Sequence, residues 1–182
     1  MLSYSLGDGA ELRSLEPWNA AEFIAAVERD RAHLAPWLPW SGIKDEESAR
    51  AMLQNYADRQ AQDSGRIYGI WLDGKLSGGV LFRVFSAEAG SCEVGVWLAA
   101  EAEGRGLVTR AVRHMIDWAF HERGIARVEW QTSAANERSI AVARRLGMSK
   151  DGTLRQAFML NGTRVDVEVW SVLAGEWPGS SG

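Results

Sequence analysis

Two dipeptides, Asp73-Gly74 and Asn161-Gly162, constrain this chain most. Each sits between two runs patterned as strands, and each pair accepts the left-handed backbone angles of a tight type I′ turn. The first joins Ile67-Tyr-Gly-Ile-Trp-Leu to the apolar run 76–85, and the second joins 153–160 to 164–173. Two antiparallel hairpins are therefore expected. Between them, residues 91–98 alternate: Cys92, Val94, Val96 and Leu98 fall on one face, and Glu93, Gly95 and Trp97 on the other. The second face carries a tryptophan, so it is not simply wet. Residues 127–132 read as a further strand and 10–15 as a short opening one.

Helical periodicity fills the gaps. Residues 17–34, with Pro17 in the first turn, carry Ala20, Phe23, Ile24, Val27, Arg31 and Leu34 at 3-and-4 spacing, and Pro36 stops the run. Asp45 is placed to cap a helix over 46–62. Over 107–123, Val108, Val112, Met115, Ile116, Ala119 and Phe120 form a continuous stripe that Gly124 ends. Asn136 can cap a fourth helix carrying Ile140, Ala143 and Leu146 and closed by Gly147. With no internal repeat and no linker, this order predicts one α/β (α+β) domain spanning 1–182. Its core is a central mixed, mostly antiparallel sheet flanked by helices. A flexible tail is expected over 174–182.

A chain of 182 residues can bury about 70% of its unfolded surface, enough for a core without disulfides or structural metal. Cys92 is the single cysteine and lies on an apolar strand face, where a buried, inert thiol is expected. His33, His114 and His121 have no ligand spacing, so no metal is expected. The net charge of −4 argues against a general nucleic-acid coat. No apolar run suggests a membrane span, and the first residues lack the order of a secretory signal, so the expected compartment is the cytoplasm.

The chemistry concentrates where Glu101-Ala-Glu-Gly104-Arg105-Gly106-Leu107-Val108-Thr109-Arg110 joins a strand to the strongest helix. Two glycines spaced by one residue bend the backbone tightly, and a helix start offers unsatisfied N–H groups and partial positive charge, which suits a pyrophosphate. It is neither a Walker loop nor a Rossmann fingerprint. The glycines alone also fit a strand-to-helix turn with no ligand.

Together with Asn136-Glu137-Arg138-Ser139, Ala143-Arg144-Arg145-Leu146-Gly147-Met148, Leu154-Arg155-Gln156 and Pro36-Trp37-Leu38-Pro39-Trp40, this loop resembles the GNAT superfamily of N-acetyltransferases in its RimJ/RimL-type branch, over 12–173. The resemblance implies a GNAT-like single domain that transfers an acetyl group from acetyl-coenzyme A to a primary amine. The acceptor would be a protein N-terminus or a small molecule, and a longer acyl donor stays open. The strand backbone at Val96, Trp97 and Leu98 would pair with the pantetheine arm. The loop Glu103, Gly104, Arg105, Gly106, Leu107, Val108 and Thr109 would hold the pyrophosphate, with Arg105 and Arg110 as nearby cations. Glu101 stands where the family usually has Gln or Arg. Arg138, Arg144, Arg145 and Lys150 against Glu137 suggest a local basic wall, with Arg144 among the cofactor contacts. A homodimer is compatible with the family.

By the same resemblance Asn136 would bind the pantetheine and Ser139 would protonate the departing sulfur; capping explains Asn136 equally and can coexist with that role. Some relatives carry a carboxylate where this chain has Phe158. Glu93 is then the first candidate base, directly or through water, and Asp166 the second; a carboxylate simply paired within the sheet is the alternative for each. Holding an amine neutral near pH 7 costs about 1 kcal/mol for an α-amine but about 4 to 5 for lysine, which favours the former. Of the nine tryptophans, Trp71, Trp118, Trp130 and Trp170 read as core, while Trp37 and Trp40 are assigned, with Phe158, to an acceptor wall. The competing function is a catalytically silent coenzyme A-binding module that senses acyl donors or supports assembly.

Overall fold

The computed structural model describes residues 3–40 and 42–178. Among these, the strands are β1 (Tyr4–Gly7), β2 (Ala10–Ser14), β3 (Arg66–Leu72), β4 (Lys75–Ser86), β5 (Ser91–Leu98), β6 (Arg127–Ser133), β7 (Ser149–Leu160) and β8 (Thr163–Leu173). The helices are α1 (Ala20–Leu34), α2 (Glu46–Ala61), α3 (Leu107–His121) and α4 (Glu137–Arg145). One mixed sheet runs β1-β2-β3-β4-β5-β6-β8-β7, and β5 with β6 is its parallel pair. Both expected hairpins form. Asp73 and Gly74 adopt φ of 50° and 79°, and Asn161 and Gly162 adopt 49° and 79°, the left-handed pair a type I′ turn requires.

Strand alternation splits the interior into two cores. On one face, α3 and α4 pack Val112, Ile116 and Ile140 against Val94, Val128, Trp130 and Trp170. On the other, α1 and α2 pack Phe23, Val27 and Leu53 against Trp71, Leu76 and Trp97. Asp45 caps α2 as expected, its side chain accepting from the Ser48 N–H at 2.8 Å. The close fit between layers is clearest at Gly79, where a Cβ would stand 2.2 Å from Trp97 Nε1.

Four expectations change. The first strand is β2, preceded by β1, whose Tyr-Ser-Leu-Gly is too short and mixed to register as a strand. A 3-10 turn over Pro17–Asn19 precedes α1, so Pro17 lies before the α-helix. Trp118 is half-buried rather than core, with the guanidinium groups of Arg66 and Arg123 stacked on its ring at 4.7 and 5.1 Å. The tail assigned to 174–182 is docked at its start: Trp177 is 6% exposed, its Nε1 donates to Asp117 Oδ1 at 2.6 Å, and its ring meets Phe120 edge-on. Residues 179–182 lie outside the described residues. Trp177→Ala should cost about 3 kcal/mol by urea unfolding, the range for deleting a buried aromatic ring. A loss below half a kcal/mol would show a loose tail after all.

Candidate active site

The parallel ladder between β5 and β6 runs from Ser91↔Arg127 to Val94↔Trp130 and ends there. Both strands continue, β5 to Leu98 and β6 to Ser133, so they part in a V. Ala99 donates its N–H to Ser77 O, on the β4 side, at 2.8 Å. Alternate residues of a strand turn their backbone groups the same way, so Trp97 also faces β4, while Val96 and Leu98 turn N–H and C=O into the opening. That edge can take one more extended chain.

At the mouth, Gly104 and Gly106 adopt φ of 76° and 69°. A Cβ at either would meet nothing within 4 Å, so backbone angle rather than crowding calls for glycine. Gly106 is the N-cap of α3, and Leu107, Val108 and Thr109 form its first turn, with no acid among them. The N–H groups of that turn have no intrahelical acceptor. Glu101 does not confront an anion bare: Lys75 Nζ lies 2.7 Å and Arg29 Nη2 3.9 Å from its Oε1, and the lysine holds its carboxyl below the ordinary value. Glu103 Oε1 accepts from Arg138 Nη1 of α4 at 2.6 Å and lies 3.0 Å from His33 Nε2 of α1. Arg105 is exposed at the loop tip.

On α4, Asn136 Oδ1 accepts from the Ser139 N–H at 3.2 Å, so it does cap the helix. No partner for its Nδ2 occurs among the described residues. Ser139 is half-buried, and its Oγ accepts from Trp130 Nε1 at 3.0 Å. Since that contact uses an acceptor lone pair, the hydroxyl proton stays free to donate. Trp130 is also the last residue of β6 to pair with β5, so Ser139 stands at the fork, on the α3–α4 face. The expected basic wall is partly engaged: Arg138 pairs with Glu103, Arg144 lies over the Trp170 ring at 5.7 Å and Lys150 pairs with Glu168, while Arg145 is exposed with no partner among the described residues.

The opposite face carries the first candidate base, Glu93, while the β8 alternation puts Asp166 on the face of Trp170. Glu93 pairs in register with Glu129, and Glu129 with Ser171, one step below the fork. Glu93 is 7% exposed, and Arg83 Nε lies 3.0 Å from its Oε1. Burial raises its carboxyl above the ordinary value, Arg83 works against that rise, and Glu129 adds to it. Arg83 reaches it across Gly95, whose absent Cβ would stand 3.3 Å from Arg83 Cδ. Asp166 is committed elsewhere: its Oδ1 accepts from the Gln156 N–H at 2.8 Å, holding the β7 bulge where Gln156 adopts φ 49°. Phe158 pairs with Val165 and Leu154 with Val167, which the β8 alternation and the β6 register place on the face of Glu129 and Glu93. Trp40 meets the rings of Phe23 and Trp97 at 5.7 and 5.5 Å, and Trp37 is 39% exposed beside it in the chain. Asn161 Nδ2 donates to Ala35 O at 2.7 Å, tying the β7–β8 turn to the end of α1.

Arg83, Glu129, His33 and the Trp130–Ser139 bond escape sequence reading, because only register and layer packing bring them together. Cys92 matches its expectation: it is buried, and desolvation pushes its thiol up to about 12. Cavities of about 180 and 260 Å³ lie between the first strands and α3, lined by Tyr4 and His114 among others, away from the fork. Among the described residues no group of His, Cys, Asp and Glu is placed to hold a metal, and no helix is long and apolar enough to cross a membrane.

A strand edge opened beside a glycine-bent helix start has the shape to take an extended arm ending in phosphate, the form of donor that acyl-coenzyme A transferases use. The GNAT acetyltransferase domain family matches residues 10–149, and the chain belongs to that family. It is an N-acetyltransferase whose acyl donor is acetyl-coenzyme A. It is 29% identical, over 98% of its length and 99% of the relative's, to the Bacillus subtilis protein bearing the name ribosomal N-acetyltransferase YdaF. The ribosomal-protein-serine acetyltransferase of Escherichia coli is 22% identical, with 91% and 93% covered. In structure, a RimL ribosomal L7/L12 α-N-protein acetyltransferase bound to coenzyme A superposes with a TM-score of 0.89 at 22% identity, over 94% of this chain and 97% of that one.

Ser139→Ala leaves the Trp130 indole N–H without its acceptor, so it should cost about 1 to 2 kcal/mol in urea unfolding. An unchanged midpoint would mean that the indole N–H is already satisfied by water.

Proposed function

We propose that this enzyme acetylates the α-amine of a protein N-terminus, in the cytoplasm, by direct attack within a ternary complex. The observation that carries the reading is the fork at Val94↔Trp130, with the Ser139 hydroxyl on one face and the Glu93 carboxylate on the other. Donor and acceptor can meet there from opposite sides of the sheet. The ribosomal-protein acetyltransferases among its relatives support a protein amine as acceptor.

In this reading, Val96 and Leu98 pair with the pantetheine arm, and the N–H groups from Gly104 to Thr109 face the pyrophosphate. Asn136 turns its free Nδ2 to an arm carbonyl. Trp37, Trp40 and Phe158 wall the acceptor. The amine nitrogen forms a bond to the acetyl carbon as the carbon–sulfur bond breaks. The amine proton leaves toward Glu93, and the sulfur takes the Ser139 proton, which solvent replaces. Glu93 lies three residues before Val96, about 10 Å at the rise of a strand, so its route runs through water. Phe158 supplies no second carboxylate. Such a site serves an amine that is easily held neutral, which separates an α-amine from lysine by about 3 to 4 kcal/mol.

Thiol release from acetyl-coenzyme A should follow addition of short peptides with a free α-amine, and not of the same peptides Nα-blocked with a free lysine. Equal rates on both would overturn the α-amine reading. In that assay Trp37→Ala should raise the peptide KM about tenfold and leave the acetyl-coenzyme A KM unchanged.

The pH profile tests Glu93. As a base it must be ionised, and because its carboxyl is raised, kcat/KM should fall with acidity while the pH is still above the ordinary glutamate range. Glu93→Gln should lower kcat by about 100-fold and remove that limb. A mutant that keeps the wild-type limb would assign it to another group.

A further inference from the structure

We infer that Arg110 is a positioning residue for the donor loop, acting through its grip on the Arg105 carbonyl rather than through its charge. This rests on the proposed donor site. The sequence marks Arg110 only as a cation near the phosphate, yet its guanidinium is already engaged. Its Nη2 donates to Arg105 O at 2.9 Å, and its Nη1 donates to Asp8 Oδ2 at 2.8 Å.

A trans peptide holds its C=O and N–H in one plane, pointing in opposite directions. When Arg110 draws the Arg105 carbonyl toward α3, it turns the Gly106 N–H the other way, outward with the first-turn donors of α3. The Arg105–Gly106 peptide would otherwise be loose, because Gly106 forms one end of it and Gly104 lies one residue before Arg105; at φ of 69° and 76°, these glycines have more backbone freedom than any other residue type. A planar guanidinium fork can hold two acceptors in fixed directions, which an ammonium cannot.

The second acceptor comes from the β1–β2 turn, where Asp8 adopts φ 53°. That hairpin is fixed to α3: the Tyr4 and His114 rings stack at 3.6 Å and 14°, and Leu6 is buried in the α3 core. Gly7 adopts φ of 80°, so the turn rather than crowding calls for glycine there, and a Cβ would stand in ordinary contact, 3.5 Å from Arg110 Nη1. The path therefore runs from hairpin to Asp8, to Arg110, to the Arg105 carbonyl, and so to the amide that faces the donor.

Charge and positioning predict opposite signs at Asp8. If Arg110 served as a free cation, removing the neighbouring Asp8 carboxylate would tighten the binding of a polyanion. If it positions the loop, the removal loosens the fork and weakens binding. The experiment measures KM and kcat for acetyl-coenzyme A and for S-acetyl-pantetheine, which has the arm but not the pyrophosphate, in the wild-type protein, Asp8→Asn, Arg110→Lys and Arg110→Ala.

Positioning predicts that Asp8→Asn raises the acetyl-coenzyme A KM about threefold, and that Arg110→Lys and Arg110→Ala raise it alike, about tenfold. In each, kcat stays within about twofold, and kcat/KM for S-acetyl-pantetheine is unchanged. A lowered KM in Asp8→Asn, a wild-type KM in Arg110→Lys, or an equal loss on both donors would overturn the inference. If Arg110→Ala does not fold, the sign of the Asp8→Asn effect decides alone. A wild-type protein that uses both donors equally would instead overturn the donor-loop reading itself.

Discussion

Everything at the site depends on the β5–β6 ladder stopping at Val94↔Trp130. Had the strands stayed paired to Leu98 and Ser133, their backbone groups would be consumed within the sheet and no edge would be open at the proposed donor site. An unpaired backbone group removed from water costs about 1 to 3 kcal/mol, so an open edge persists where a ligand or solvent takes its place. The fork is also where helices meet the sheet. Trp130, the last residue of β6 to pair with β5, donates to Ser139 and holds the start of α4 beside the opening, while α3 begins beyond the end of β5. One interruption of pairing thus brings together an extended edge, a helix start and a hydroxyl.

How an acidic chain accommodates a polyanion follows from how its charges are spent. The acids nearest the loop are answered in place, Glu101 by Lys75 and Arg29 and Glu103 by Arg138. Several cations that looked available in the sequence are also engaged, Arg138 with Glu103, Arg110 with Asp8 and Lys150 with Glu168. What remains directed at the mouth is the exposed Arg105 and the unpaired N–H groups of a helix start, which carry partial positive charge whatever the net charge of the chain. Paired charges cancel at distances beyond their own separation, and salt screens the remainder within about 10 Å. The bulk value of −4 therefore says little about the loop.

Local chemistry is legible in this sequence and long-range pairing is not. Asp73-Gly74 and Asn161-Gly162 specify two hairpins, and the 107–123 stripe specifies α3, because each is written in adjacent residues. The glycine loop could be placed for the same reason. Tyr4–Gly7 could not, since four mixed residues pair only once the β2 edge exists. Trp177 looked like part of a tail because its partners, Asp117 and Phe120, lie about sixty residues earlier in the chain. The pairing of Glu93 with Glu129 is set by the β5–β6 register, which no single strand contains. Local patterns likewise count the cations of 138–150 but not the acids that answer Arg138 and Lys150.

Strand alternation explains why donor and acceptor chemistry can share β5. Its backbone turns sideways into the opening at Val96 and Leu98, while Glu93, Gly95 and Trp97 face the layer of α1 and α2. Small residues make that face usable. Gly79 gives the Trp97 ring its place under Phe23 and Trp40, and Gly95 lets the Arg83 stem cross to Glu93. A one-residue slip of β5 would turn Glu93 into the α3 core and Val94 toward the acceptor, reversing both faces at once. The Asp73-Gly74 turn fixes β3 against β4, the β4–β5 ladder carries that register on, and the collision awaiting any Cβ at Gly79 opposes a slip. The same turn that first disclosed a sheet in the sequence therefore helps to set which carboxylate faces the acceptor side.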